Sequence, residues 1–411
     1  MRRFRLCSVV VALSCAFSTN VFAQEIEDEE LKSLREDAEA VAGPVVEKGA
    51  SSGPSTSTQL LNAMNPQITV FGDVVVVADP ETLGQTESHS AVSDLSGAAE
   101  PSEPSLINRF SVREVEVDLR AAIDPFAKGV VILGFAEEEP REYAFDLEEA
   151  YLTFGRLPLK TNLKLGRFRA PFGQINRLHS HDLPMTNEPL PVQRLLSEEG
   201  EFAFGGEFSW LAPLTEGDSL SIQLAIINPE NPNLFRESTT LPAAMFHMGN
   251  FLDLSEVSFF EIGGTWYGGF DEDQVDALSQ LVGVDLMLKL RPTENAQARS
   301  FVFQGEGFYQ HSSGLHSGED RSALGLMTLL LYQLDLNWYF GARYEGYQKL
   351  DSDEPFVMRT GATLSYYTTE FLRLRLNYDL ERDGNVDNHL VTLQSTFVFG
   401  SHPVEPYWFN R

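Results

Sequence analysis

The sequence predicts an all-β fold: a transmembrane, antiparallel β-barrel of about sixteen strands, preceded by a short helical or disordered extension. Three observations carry this prediction. The first is alternation of period two, repeated along most of the chain. In the segment 371–381, Leu372, Leu374, Leu376, Tyr378 and Leu380 alternate with Arg373, Arg375, Asn377 and Asp379. Val115, Val117, Leu119 and Ala121 alternate in the same way with Glu114, Glu116, Asp118 and Arg120. The second is length. The alternating runs extend over roughly ten residues or more, whereas soluble strands average about 5 to 6. The third is the placement of aromatics near strand ends (Trp210, Tyr267, Phe270, Tyr309, Trp338, Tyr347, Tyr366 and Tyr378), which suits interfacial girdles. A soluble sandwich would need the polar faces in water and the greasy faces in a core. Here the polar faces carry too many charges for a dry interior, so the greasy face is assigned to lipid and the polar face to a lumen.

The predicted strands fall near 67–78, 110–121, 127–137, 143–156, 161–169, 202–212, 219–229, 240–251, 257–270, 280–292, 299–313, 321–333, 335–348, 355–367, 370–382 and 388–399. Their connections alternate in length. Asp124-Pro125, Leu157-Pro158, Asp253 to Glu256, Pro292 to Ala298 and Thr368-Thr369 read as tight periplasmic turns. Segments 79–109, 170–201, 230–239, 271–279, 314–320 and 383–387 read as external loops. An even strand number leaves both ends of the barrel, 66–400, on the periplasmic side.

Ahead of the barrel, residues 1–23 read as a secretory signal. Arg2, Arg3 and Arg5 precede an apolar run from Leu6 to Phe17, and Val21-Phe22-Ala23 offers small residues for cleavage before Gln24. Both cysteines, Cys7 and Cys15, lie in that leader, so the mature chain has no disulfide, thiolate metal site or cysteine nucleophile. Residues 24–65 form an acidic periplasmic extension that ends in a Gly/Ser/Thr-rich linker. Residues 401–411 form a tail. The formal charge of −30 argues against a nucleic-acid partner, which requires a basic surface.

Several segments taken together resemble a known family. They are NPQITV at 65–70, SVREVE at 111–116, AIDPFA at 122–127, EEAYL at 148–152, LGRFRAPFGQIN at 165–176 with HSHD at 179–182, and PVEPYWFNR at 403–411. The chain is similar over 65–411 to porin-like outer-membrane proteins related to the phosphate-selective porins O and P. Some members of that group are labelled zinc-regulated TonB-dependent outer membrane receptor. The resemblance implies a sixteen-stranded barrel in the outer membrane of a Gram-negative bacterium, often trimeric, with a pore narrowed by an inward-folded loop. The leading expectation for such a barrel is passive diffusion of small hydrophilic solutes or ions, with no enzymatic activity. A TonB-dependent transporter, with 22 strands and a plug, does not fit the segments present.

The long connection 170–201, with Pro171, Pro184, Pro189 and Pro191, is the candidate constriction loop, the alternative being a loop packed on the outer rim. Candidate pore residues are Arg167, Arg169, Arg373 and Arg375, expected to face a permeating anion, with Glu114, Glu116 and Asp118 opposing them. An alternative is that these arginines pair with neighbouring carboxylates and stiffen the wall. No cofactor is expected, with one alternative: His179, His181 and Asp182 are suitable ligand types for zinc, and would make the barrel a channel or receptor for a metal ion or complex. Ser180 beside His179 and Asp182 does not make a catalytic triad, because adjacent side chains rarely converge.

Overall fold

The computed structural model describes residues 66–79, 108–139, 142–215, 217–235, 241–271, 274–292, 299–313 and 320–400. The leader, the extension, most of the connection 79–109 and the tail lie outside the described residues.

Sixteen strands close into one barrel, each antiparallel to both neighbours. In chain order they are β1 (Gln67–Ala78), β2 (Arg109–Asp124), β3 (Ala127–Glu139), β4 (Glu142–Leu157), β5 (Thr161–Arg169), β6 (Phe202–Thr215), β7 (Asp218–Ile227) and β8 (Ala243–Ser255). There follow β9 (Ser258–Asp271), β10 (Gln274–Leu290), β11 (Phe301–Ser312), β12 (Arg321–Gln333), β13 (Trp338–Lys349), β14 (Val357–Thr369), β15 (Leu372–Asp383) and β16 (Val386–Phe399). The barrel closes where β1 meets β16, from Val70 opposite Phe399 to Ala78 opposite Val391. Closure removes the sheet edge that lipid could not satisfy.

The alternation read from the sequence fixes which face meets lipid. Leu374 and Leu376 are exposed on the outside, while Arg373 and Arg375, the intervening residues, are only 1% exposed. Leu224, Ile226, Phe246, Met248, Leu324, Leu326 and Leu393 continue the greasy outer surface around the barrel. An exposed apolar surface of that extent is the mark of an outer-membrane barrel rather than a soluble sandwich. Trp210, Phe270, Tyr309, Trp338 and Tyr378 join it, and Trp338 packs on Tyr366 with centroids 4.6 Å apart. Tyr267 and Tyr347 correct the girdle assignment: both occupy lumen-facing register positions, and Tyr267 is fully buried.

The short connections use side-chain acceptors. Asp124 Oδ1 accepts the backbone N–H groups of Phe126 and Ala127 at 2.7 and 2.8 Å, turning β2 into β3. Asp335 does the same for Asn337 and Trp338, both at 2.9 Å. Segment 271–279, expected as an external loop, is mostly strand: β9 runs to Asp271 and β10 begins at Gln274.

Candidate functional site

The long connection between β5 and β6 folds into the barrel. It leaves Arg169 through Ala170 and Phe172, both buried, and crosses to the far wall. There Glu306 of β11 accepts the N–H groups of Gln174 and Ile175, each at 2.8 Å, and Thr265 of β9 accepts that of Gly173 at 3.2 Å. Gly173 adopts φ +57°, and a Cβ there would run into the Glu306 carboxylate. The chain then turns back. Arg177 Nη2 donates to Gln223 Oε1 of β7 at 2.8 Å. His179, Ser180 and His181 reach the acidic side chains of β2 and β4.

From His181 onward, arginines of the wall hold the loop by its carbonyl groups. Arg373 Nη2 donates to His181 O at 2.8 Å. Arg375 donates from Nη2 to Leu183 O at 2.9 Å and from Nη1 to Met185 O at 2.7 Å. Arg113 of β2 donates to Thr186 O. Arg359 Nη1 of β14 donates to Glu188 O at 3.2 Å and lies 3.4 Å from Glu345, while its Nη2 meets Glu381 at 2.7 Å. Loop carbonyl groups buried away from water need donors, and a planar guanidinium supplies several at once.

The loop closes with a short helix, α1 (Leu190–Leu195), whose Leu190, Pro191, Val192 and Leu195 are buried. Glu345 of β13 accepts the N–H of Leu190 at 2.8 Å, satisfying one free donor at the helix start. Wall glycines make room for this packing. A Cβ at Gly283 would lie 2.7 Å from the Phe172 ring, and one at Gly325 would lie 2.7 Å from Pro191. Phe172 stacks on Phe308, with centroids 5.7 Å apart. Met287, Val302, Met327, Leu329 and Leu331 are buried on the same inner wall. The loop therefore gives the barrel an apolar internal core along β10–β12, where the polar-lumen reading expected a wet wall.

Part of the opposite wall stays accessible. Arg120, Lys128 and Asn162 are exposed, and Tyr151, Lys164, Ser221, Gln223 and Glu261 are partly exposed. Arg177, exposed on the loop, faces this side. Lys164 lies 3.7 Å from Glu207, and Arg120 bonds Asp118 at 2.8 Å.

The candidate pore residues separate by place. Arg373 and Arg375 line the lumen but are buried against the loop, so neither presents its charge to a solute. Arg169 is 7% exposed and donates to Glu199 O at 2.7 Å, stacking over Phe202. Arg167 stands near Asp146 and Glu230, each at 3.8 Å, and also over Phe202. Asp118 is tied to Arg120. Glu114 and Glu116 belong to a cluster with the loop histidines.

In that cluster His179 Nδ1 lies 3.0 Å from Glu148 Oε2 and 3.4 Å from Glu116 Oε2. His179 Nε2 lies 3.6 Å from Glu149 Oε2. His181 Nδ1 lies 3.1 Å from Glu116, and its Nε2 lies 3.6 Å from Asp182. Phe71, His181 and His179 form a stack, with centroid separations of 3.8 and 5.7 Å. Burial alone would lower the His179 pKa, but Glu116, Glu148 and Glu149 outweigh it and hold the imidazole well above its usual value. His181 is shifted the same way: against burial, Asp182 and Glu116 raise it. Ser180 Oγ donates to Glu114, while His179 faces Glu148, so Ser180, His179 and Asp182 form no relay. The sequence placed Asp182 beside the histidines by adjacency. The fold instead brings Glu116 and Glu148 to His179, and alternation had marked Glu116 only as an inward acid.

A closed sixteen-strand barrel with a greasy exterior and an inward loop has the architecture of the outer-membrane porins. The channel DcaP of Acinetobacter baumannii superposes with a TM-score of 0.55 at 11% identity, over 82% of this chain and 96% of that one. An anion-selective porin from Comamonas acidovorans gives 0.52 at 10% identity, over 82% and 100%. OprB of Pseudomonas putida, in its high-pH structure, gives 0.50 at 12% identity, over 84% and 96%. At these identities the likeness is one of fold. An uncharacterised protein of Aquifex aeolicus (strain VF5) is 25% identical over 386 residues, covering 82% of this chain and 80% of that protein. No family model matches the chain.

Proposed function

We propose that the protein is an outer-membrane channel that passes small hydrophilic solutes or ions by diffusion, through the part of the lumen left beside the accessible side chains of Lys164, Ser221, Gln223 and Glu261. The observation that carries this reading is the asymmetry of the interior. The loop and the β10–β16 wall are buried against each other, while Arg120, Lys128, Asn162, Lys164 and Gln223 on the other wall remain accessible. Arg177 spans from the loop to β7 and marks the constriction. No salt bridge to Arg177 forms among the described residues, and with Lys128 it is one of the cations a solute meets. Lys164, Arg120 and Glu261 continue a mixed lining, which favours neither phosphate nor any other single solute. Assembly as a trimer belongs to the same reading.

The test is swelling of liposomes that carry the refolded protein, in isotonic sugars of increasing size. Entry of small sugars with a sharp size limit supports a constricted pore. Liposomes that hold folded barrel and swell in none of them would remove the open-channel reading.

A further inference from the structure

The packing of two loop imidazoles among strand carboxylates has no part in the diffusion path. We propose that His179 Nδ1, Glu148 Oε2 and Glu116 Oε2 form a site for one divalent transition-metal ion of the zinc type, which ties the inward loop to β2 and β4.

The three donor atoms lie within 4.8 Å of one another. Two of the separations are 3.0 and 3.4 Å. Donors placed about 2.0 to 2.2 Å from a tetrahedral ion stand about 3.4 Å apart, so both histidine–carboxylate separations are already close to that spacing. One imidazole and two carboxylates suit zinc and its neighbours, whereas calcium and magnesium favour oxygen donors alone.

The surroundings are built as a metal site's are. Glu149 stands behind the ring, 3.6 Å from Nε2, on the side away from the candidate ion. Metal-binding histidines are held by a carboxylate in that position, which fixes the tautomer. The stack on His181 and Phe71 sets the ring plane. His181 Nδ1, 3.1 Å from Glu116 Oε2, holds that carboxylate in place and is a further nitrogen donor close by. Gly134 on β3 leaves the space that the Glu148 carboxylate fills, since a Cβ there would collide with Oε1.

Charge gives an independent reason. Glu114, Glu116, Glu148, Glu149 and Asp182 converge here, and among the described residues no lysine or arginine forms a salt bridge to any of them. The guanidinium of Arg169 is turned to Glu199 O instead. Two imidazoles balance only part of that negative charge, and buried charge that is not balanced is strongly unfavourable. A divalent ion relieves the cluster further: on Nδ1 it takes the place of the imidazolium proton and adds one net positive charge.

The experiment uses the full chain refolded in detergent and stripped with chelator, so its outcome does not depend on whether the barrel conducts. Zinc chloride is titrated by calorimetry, magnesium chloride in parallel, and cobalt(II) is followed by its visible absorption. One zinc per chain, no heat from magnesium, and an intense four-coordinate cobalt spectrum are expected. His179→Ala and Glu148→Gln should each weaken zinc binding at least tenfold, while Asp182→Asn changes it less than threefold. Gel mobility with and without heating reports whether each variant is folded. If His179→Ala does not fold, Glu148→Gln decides. Zinc that gives no heat with wild type, an octahedral cobalt spectrum, or binding that survives in folded Glu148→Gln would each overturn the site.

Discussion

Arg375 on β15 grips two loop carbonyl groups at once, Leu183 O at 2.9 Å and Met185 O at 2.7 Å. These contacts span more than 180 residues of sequence, and they join the last hairpin of the barrel to the connection after β5. Hydrogen bonds from a charged group contribute about 1.5 to 3 kcal/mol each, and stranding buried carbonyls removes more than the bond itself. Replacing Arg375 by Ala should therefore destabilise the loop by about 3 kcal/mol or more, read as a lower melting temperature in detergent and as noisier, larger conductance steps. Arg375→Lys should rescue little, because an ammonium cannot fork across two acceptors. A variant that melts and conducts like wild type would show that the loop is held elsewhere.

Glu306 anchors the opposite end of the loop through two N–H groups. Glu306→Ala removes the single oxygen that both donors share and leaves two buried N–H groups without an acceptor. The expected loss is about 1 to 3 kcal/mol, with faster proteolysis of the loop at Arg177 as the direct readout. Unchanged cleavage kinetics would argue that this anchor is dispensable.

Glu188 offers a pH test. Burial pushes its carboxyl up from 4.5 to about 7, against the pull of Arg169 and Arg113. Neither carboxylate oxygen has a hydrogen-bond partner among the described residues. Between pH 4.5 and about 7 the folded protein keeps a proton that the unfolded chain has released. Stability attributable to this group is thus present below pH 4.5 and is lost as pH rises through 7. The ceiling is about 3 kcal/mol, from roughly 1.4 kcal/mol per pH unit. Glu188→Gln should flatten this decline and melt higher than wild type at pH 8. Melting curves at pH 5 and pH 8 check it, and equal slopes for both proteins would contradict it.

Leu329, 2% exposed on the inner wall of β12, tests the internal core. Leu329→Asp places an unpaired carboxylate beneath the loop and should lower stability by several kcal/mol, whereas the same change at Leu326 on the lipid face should impair membrane insertion instead. Refolding yields in detergent and in lipid separate the two.

The strand order and the face of most side chains were legible because alternation is local: Leu374 outward and Arg375 inward follow from adjacent residues alone. What Arg375 holds in the loop was not legible, since its loop partners are backbone carbonyl groups, which no side-chain pattern reports. The inward course of the loop did leave a trace. From Ala323 to Leu331, β12 is apolar on both faces apart from Gly325 and Thr328, and a strand of that kind needs cover inside as well as lipid outside. The histidine cluster was half legible. His179 and His181 stood out, but their nearest carboxylates come from β2 and β4, brought together only by closure of the sheet.

The most direct measurement of the central claim, that the loop sets the constriction and Arg177 stands in it, is single-channel recording in a planar bilayer under a potassium chloride gradient. Wild type should give stable steps, and Arg177→Glu should shift the reversal potential toward cation preference at similar conductance. A folded barrel that never conducts, or an Arg177→Glu channel with an unchanged reversal potential, would contradict the account.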